Sequence, residues 1–334
     1  MRLEAQGEHV AYRDRRLLAT LVMLLLMTAL AIGVGERPVA AQGDPVRIVA
    51  TTTQAADLAR NVGGDRVEVE SIMGPGVDPH LYRASEGDLL TMFEADVIFY
   101  NGLNLEGQMD EILGSLAEER PVVALGEAVP EELRLQSAQY QGEFDPHIWF
   151  DPTRWEYMVQ AAAAALTAFD PEDAATYESN AASYIAQVQA LDAESMARIS
   201  SIPAEQRVLV TAHDAFNYFG DRYGIEVIGI QGISTETEAG IADLQAVADV
   251  IVQRKIPAIF VESTISPATI EAVQGAVRDR GAEIVIGGSL FSDAMGEDGT
   301  PEGTYLGMFR HNVQTIVTAL GGNATATPVA SPAG

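Results

Sequence analysis

The stretches GPGVDPHLY, at 74–82, and EFDPHIWFDP, at 143–152, each place a histidine directly after a proline. The proline ring fixes its own φ and biases the preceding aspartate towards extended backbone, so each Asp-Pro-His tripeptide forms a stiff loop. The aspartate can accept a hydrogen bond from the imidazole or from the loop backbone, which would orient the ring. Imidazole is the commonest metal ligand, and the chain has only five histidines, so His80 and His147 are candidate metal ligands.

Short β-branched segments alternate with segments of helical spacing on both sides of these loops. Such alternation predicts parallel sheets with right-handed crossovers. Between the two halves, a stripe of apolar residues recurs at steps of three and four, which predicts one long helix. The predicted fold class is α/β, with two lobes joined by one long rigid linking helix and a four-stranded parallel sheet flanked by helices in each lobe. The predicted strands are 46–52, 67–73, 96–100 and 121–125 in the first lobe, and 207–211, 225–230, 257–262 and 283–286 in the second.

The ends of the chain are predicted to lie outside this fold. Arg13, Arg15 and Arg16 precede an apolar run at 17–34, and a small-residue pattern ends at Ala41, as in a secretory signal. The apolar run is long for a signal, so an uncleaved membrane anchor stays open as an alternative. The predicted domains are a signal peptide at 1–41, an N-terminal lobe at 44–169, the linking helix at 170–202, a C-terminal lobe at 203–322 and a disordered tail at 323–334.

Composition excludes several classes of function. The formal net charge is −28, Lys255 is the single lysine, and no basic stripe exists, which excludes binding to nucleic acid through its phosphates. The chain has no cysteine. Disulfides, thiolate metal sites and a lipidated N-terminal cysteine are therefore excluded.

Two further residues extend the candidate metal site. His213 and Asp293 follow predicted strands, as His80 and His147 do, and open parallel sheets bind ligands at the carboxyl ends of their strands. Three imidazoles and one carboxylate form a credible ligand set for a divalent cation, above all zinc. Two structural alternatives stay open: His213 as a hydrogen-bonded loop residue, and Asp293 as a helix cap or turn residue. Glu262, at a strand end, is a candidate to support a ligand or a buried carboxylate elsewhere.

Several motifs occur in one order along the chain and together resemble a known family. They are PGVDPHLYRAS, DVIFYNGLNLE, DPHIWFDP, TAHDAFNYFGDRYGI, GISTETEAG, AIFVEST, LFSDAMG and GTYLGMFRHN. From 46 to 320 the chain resembles the solute-binding proteins of zinc and manganese ABC transporters, an adhesin-like metal-binding family. The resemblance implies two α/β lobes joined by a long helix, with a metal between them. The family's four ligands match His80, His147, His213 and Asp293.

The resemblance also implies a function. The chain is expected to be exported, to lie in the periplasm or on the outer face of the cytoplasmic membrane, to act as a monomer, and to deliver a divalent metal to the membrane permease of an ABC importer. Zn²⁺ is favoured because zinc-type members carry histidine at the position of His213, where manganese-type members carry glutamate. Mn²⁺ is the alternative, since 127–143 lacks the histidine-rich loop of many zinc members. An enzyme is not expected; a secreted zinc hydrolase and a surface adhesin are the alternatives from other classes.

Overall fold

The computed structural model describes residues 43–137 and 142–325. The predicted leader lies outside the described residues, and so does most of the predicted tail, from 326 onward. Contacts group the chain from Pro45 onward into one unit. Among the described residues, no helix combines the length and apolarity needed to cross a membrane.

Strands and helices alternate through both halves of the described chain. The strands are β1 (Val46–Ala50), β2 (Val67–Ser71), β3 (Val97–Tyr100), β4 (Val122–Ala124), β5 (Val208–His213), β6 (Glu226–Gln231), β7 (Ala258–Glu262) and β8 (Val285–Leu290). The helices are α1 (Thr53–Gly63), α2 (Glu86–Glu94), α3 (Asp110–Ala117), α4 (Pro152–Phe169), α5 (Ala174–Ile199), α6 (Asn217–Tyr223), α7 (Ile241–Arg254), α8 (Ala268–Asp279) and α9 (Tyr305–Ala319).

The N-terminal lobe contains a four-stranded sheet in the order β2-β1-β3-β4, with every neighbouring pair parallel. Ile48 in the central strand β1 pairs with Val69 on one side and Val97 on the other. All connections are therefore crossovers, and the carboxyl ends of the strands share one edge. The first Asp-Pro-His loop follows β2 at this edge, and the second is held there by a hydrogen bond from Asn101 Nδ2, directly after β3, to Pro146 O at 3.0 Å.

The C-terminal lobe contains four strands, also parallel where they pair. Hydrogen bonds join β5 to β6 and β7 to β8, and β5 lies beside β7. The prediction of parallel sheets flanked by helices in two lobes is confirmed. Among the described residues, the backbone hydrogen bonds of this lobe join its four strands as two separate pairs, β5 with β6 and β7 with β8, instead of one continuous four-stranded ladder. The domain boundaries remain predictions.

Local sequence explains where several helices begin. Ser85 caps α2 with a capping box, because its side chain accepts from the Asp88 amide and the Asp88 carboxylate accepts from the Ser85 amide. Asp151 caps α4, with Pro152 at the first helical position. Both caps agree with the sequence pattern of a polar N-cap followed by an acid or a proline.

The predicted linking helix is α5, whose 26 residues span about 39 Å. Its buried stripe contains Tyr177, Ala181, Tyr184, Val188 and Leu191, as predicted. The helix packs on α1 and α4 of the N-terminal lobe and on α9 of the C-terminal lobe. The largest apolar core therefore draws residues from both lobes.

The start of α5 differs from the pattern that its sequence suggests. The acidic segment 170–173 resembles the cap of α4, but a 3-10 turn at Pro171–Asp173 precedes α5, and no side chain caps the helix. The Asp170 carboxylate instead accepts a hydrogen bond from Tyr177 Oη at 2.8 Å. The tertiary hydrogen bond has replaced the local one.

Candidate metal centre

The four candidate ligands converge between the lobes. His80 and His147 come from the N-terminal lobe, and His213 and Asp293 from the C-terminal lobe. Each offers one ligand atom, and these four atoms all lie within 4.8 Å of one another, with all four side chains buried. Across the described residues, this is the one group of histidines and acids with such geometry.

The shorter distances in this group match the coordination shell of a small cation. His80 Nε2 lies 3.4 Å from His147 Nε2, and the Asp293 carboxylate lies 3.5 Å from His147 Nε2 and 3.3 Å from His213 Nε2. Ligands about 2.05 Å from a tetrahedral zinc ion would lie about 3.3 Å from one another. The three imidazoles therefore present the same nitrogen, Nε2, to one point.

The two Asp-Pro-His loops use the same backbone device. The Asp78 carboxylate accepts from the His80 amide at 2.9 Å, and the Asp145 carboxylate accepts from the His147 amide at 2.9 Å. In the second loop, Asp145 Oδ1 also accepts from His147 Nδ1 at 2.7 Å. This bond holds the proton on Nδ1 and leaves Nε2 to face the other ligands.

His213 is oriented by a carboxylate from the neighbouring strand. Glu262, at the end of β7, accepts from the His213 backbone amide at 2.8 Å and from His213 Nδ1 at 2.5 Å. His213 itself is the last residue of β5, so it lies at the strand end rather than in the loop after it. The sequence left two interpretations of Glu262 open, a residue that supports a ligand or a buried carboxylate elsewhere. In the structure Glu262 contacts His213, a candidate ligand, which matches the first interpretation.

Asp293 is placed by contacts that sequence reasoning missed. Ser292 O accepts from Trp149 Nε1 at 3.0 Å and from Gln54 Nε2 at 3.3 Å, which ties this loop to the N-terminal lobe. On the other side, the Asn312 side chain bonds both the amide and the carbonyl of Phe291. Asp293 is therefore a fixed, buried loop residue and caps no helix.

The pKa values in the group separate into two classes. Burial disfavours the charged imidazole of His80, and the neighbouring histidines add to this effect, so the pKa of His80 falls to about 3 despite the Asp293 charge. Burial also opposes protonation of His147, but the charges of Asp145 and Asp293 outweigh it and raise the pKa of His147 to about 9. The charges of Asp293 and Glu262 likewise outweigh burial and raise the pKa of His213 well above its usual value.

The Asp293 carboxylate is held in its ionised form. Burial alone would raise the pKa of Asp293, but the positive charges of His213 and His147 hold it well below its usual range. Neither carboxylate oxygen has a hydrogen-bond partner within the described chain, and the same is true of His213 Nε2. In the metal-free protein these atoms lie at ion-pair distance, with Asp293 3.3 Å from His213 Nε2 and 3.5 Å from His147 Nε2, so a cation bound between them could replace the protons that join them.

Of the two other histidines, the structure describes one, His311, which lies outside this group. His9 belongs to the predicted leader and lies outside the described residues. His311, on α9, contacts Ser289 O through Nε2 at 3.1 Å. Its partly exposed side chain also lies 3.7 Å from a Glu302 carboxylate oxygen.

Comparison with known proteins supports the same assignment. The family model described as zinc-uptake complex component A, periplasmic, matches residues 48–319. The chain is 46% identical over 275 residues to the manganese-binding lipoprotein MntA of Bacillus subtilis (strain 168), covering 82% of this chain and 90% of the relative. It is 46% identical over 305 residues to the zinc-binding protein TroA of Treponema pallidum (strain Nichols), covering 91% and 98%.

A solved structure shares the fold as well as the sequence. The periplasmic zinc-binding protein TroA from Treponema pallidum superposes with a TM-score of 0.81 at 47% identity, over 83% of this chain and 99% of that chain. The family predicted from the motifs is thereby confirmed. The chain belongs to the zinc-uptake complex component A family, the solute-binding proteins of metal ABC transporters.

Proposed function

We propose that this protein captures a divalent transition-metal cation outside the cytoplasm, zinc first of all, and delivers it to an ABC permease. His80, His147, His213 and Asp293 are the proposed ligands. The observation that carries the proposal is the convergence of four buried ligand atoms, one from each of these residues, within 4.8 Å of one another. The cluster includes the buried, ionised Asp293 carboxylate, and a bound cation would supply the compensating positive charge in place of the protons on His147 and His213.

Zinc is the first choice because three of the four ligand atoms are nitrogens. Imidazole favours zinc, whereas manganese prefers oxygen donors. Manganese is a second candidate on the strength of one observation: MntA, which is named for manganese, is as similar to this chain as TroA, which is named for zinc, at 46% identity each. The same four side chains would hold either cation.

The site favours binding and release of the metal over catalysis. A catalytic zinc keeps three protein ligands and one open position for water. Here four side chains are buried around one point, with His80 only 4% exposed and the other three between 0% and 2%. A secreted hydrolase, the alternative from another class, would need an open position that this arrangement does not offer.

The proposed partner is the membrane permease of an ABC importer, with the protein acting as an exported monomer. A surface adhesin that uses metal only for structure is the remaining alternative. Because α5 packs on helices of both lobes, we expect small lobe movement on metal binding. Solution scattering tests this point, since a large change in radius of gyration on adding metal would contradict it.

The test of function is metal analysis followed by competition. Protein purified without added metal should contain about one equivalent of zinc, measured by mass spectrometry of the metal, and zinc should displace manganese in calorimetry. Asp293→Asn should weaken zinc binding by about 100-fold or more, because it removes a charged ligand. Asp298→Asn is the matched control: it lies in the same loop region with a side chain that is 83% exposed, and it should bind zinc normally. Normal zinc affinity in Asp293→Asn would refute the proposed ligand set.

A further inference from the structure

A cavity of about 290 Å³ lies beside the proposed metal site, on the outer side of His80. Of the four proposed ligands, His80 lines it. Its walls come from both lobes, with Asn104 and Gln108 on the N-terminal side and Ser234 and Glu236 on the C-terminal side. A cation that travels through this cavity would meet His80 first.

The C-terminal wall is a short segment, residues 232–238, here called the strap. It follows β6 and is anchored there, because Gln231 Nε2 donates to Thr235 O at 2.9 Å and to Thr237 O at 2.8 Å. Ser234 and Glu236 of the strap line the cavity. The strap therefore belongs to the C-terminal lobe but forms the outer wall of the route to the metal.

Two side-chain hydrogen bonds between residues that the structure describes join the strap to the opposite lobe. Thr235 Oγ1 donates to Asp78 Oδ2 at 2.6 Å, and Glu236 Oε1 accepts from Gln108 Nε2 at 2.7 Å. Thr235 is buried, with 7% of its surface exposed, whereas the Gln108–Glu236 bond is exposed. The first bond should therefore be the stronger fastening.

The N-terminal rim that receives the strap is held firmly. The buried Glu106 carboxylate accepts hydrogen bonds from Thr51 Oγ1 and from the amides of Asn101 and Gly102. This network fixes the loop that leads to Gln108. The strap is held to this rim by the side-chain bonds of Thr235 and Glu236, so breaking either bond should allow the strap to move more readily.

We propose that the strap gates exchange of the metal cation, and that its bonds from Thr235 to Asp78 and from Glu236 to Gln108 hold the gate closed. The inference rests on the proposed function and adds to it the route and the step that limits the rate. A gate raises or lowers the barrier in both directions. Weakening it should accelerate metal uptake and metal release together and leave the dissociation constant nearly unchanged.

Stopped-flow measurement of zinc uptake and of zinc release into excess chelator tests the gate. Thr235→Val should raise both rates about fivefold, the loss expected for one net hydrogen bond of about 1 kcal/mol. Gln108→Met should raise both about twofold, because the bond it breaks is exposed. Thr237→Val, an exposed residue of the same strap, is the control and should change neither rate.

A covalent lock gives the opposite perturbation. The chain has no cysteine, so Gln108→Cys with Glu236→Cys can be joined selectively by a short bis-maleimide. The joined protein should exchange zinc at least tenfold more slowly than the same variant before joining. Unchanged rates in the joined protein, or in Thr235→Val and Gln108→Met, would overturn the gate.

The two proposals fail in different ways. If the unaltered protein binds no zinc at equilibrium, the proposed function is wrong. The other outcome is that the unaltered protein binds zinc, and the strap variants raise the rate of zinc release without raising the rate of uptake. The dissociation constant would then rise, the strap would be part of the binding site, and the proposed gate would be wrong. Amide hydrogen exchange gives a readout that needs no metal: exchange in the strap should rise in the double variant Thr235→Val, Gln108→Met and stay constant in α5.

Discussion

Zinc binding at pH 7 should release about two protons. The pKa of His147 is raised to about 9 and that of His213 is raised well above its usual value, so both imidazoles carry a second proton at neutral pH. His80, with a pKa of about 3, is already neutral. A metal binds only the neutral imidazole, so it must displace one proton from each of the two charged rings.

The magnitude follows from the number of protons displaced. Each released proton changes the apparent affinity by about tenfold per pH unit as long as the pH is below the pKa of its group. Between pH 6 and 8 the zinc affinity should therefore rise by about 100-fold per pH unit, and the slope should decrease once the pH passes the pKa of His147, at about 9. If all three histidines had the ordinary pKa, near 6.5, the zinc affinity would change very little above pH 7.5. The sign is fixed: affinity falls as pH falls.

Calorimetry in buffers of different ionisation enthalpy counts the protons directly. Glu262→Gln removes one of the two carboxylate charges that raise the pKa of His213, so the number of protons released at pH 7 should be lower in this variant than in the unaltered protein. His311→Gln, outside the site, should still release about two. Release of fewer than about half a proton by the unaltered protein, or equal affinity at pH 6 and pH 8, would show that the charges at the site are arranged otherwise.

Three further changes have defined outcomes. Asp145→Asn should weaken zinc binding by about 10- to 100-fold in a chelator competition, because it removes the charged partner of His147 Nδ1; unchanged affinity would mean that this contact orients nothing. Ser85→Ala should lower the free energy of unfolding by about 1 kcal/mol in urea through loss of a helix cap, with zinc affinity unchanged; a loss below about 0.3 kcal/mol would contradict the cap. Trp155→Ala should lower the free energy of unfolding by about 3–5 kcal/mol, because the buried ring stacks on Tyr305 with centroids 4.5 Å apart; a loss near 1 kcal/mol would mean that the core refills the space.

Features that depend on neighbouring residues could be predicted from the sequence. The capping box from Ser85 to Asp88 and the Asp151-Pro152 helix start involve residues within three positions of each other. The convergence of the four candidate ligands was predictable for another reason. Parallel sheets place the carboxyl ends of their strands on one edge, so residues at strand ends meet even when they are far apart in sequence.

Features that depend on tertiary packing could not be read in this way. The contact from Trp149 to Ser292 O joins residues 143 positions apart, and no local pattern signals it. Glu262 illustrates the limit, since its place at a strand end suggested a supporting role without showing its partner. At the start of α5, the expected use of Asp170 as a cap gave way to its hydrogen bond with Tyr177.

The pKa directions and the ligand geometry together explain why a divalent cation suits this site. A buried group pays a large desolvation cost for any net charge that it carries. Without metal, protons on His147 and His213 supply two positive charges beside the ionised Asp293. A divalent cation that displaces both protons supplies the same two charges at the centre of the group. Binding then exchanges one dication for two protons, so the net charge of the buried group stays constant. A monovalent cation that displaced both protons would make that net charge more negative by one. The proton therefore competes with the metal for the imidazoles, and the affinity for the metal should fall as the pH falls.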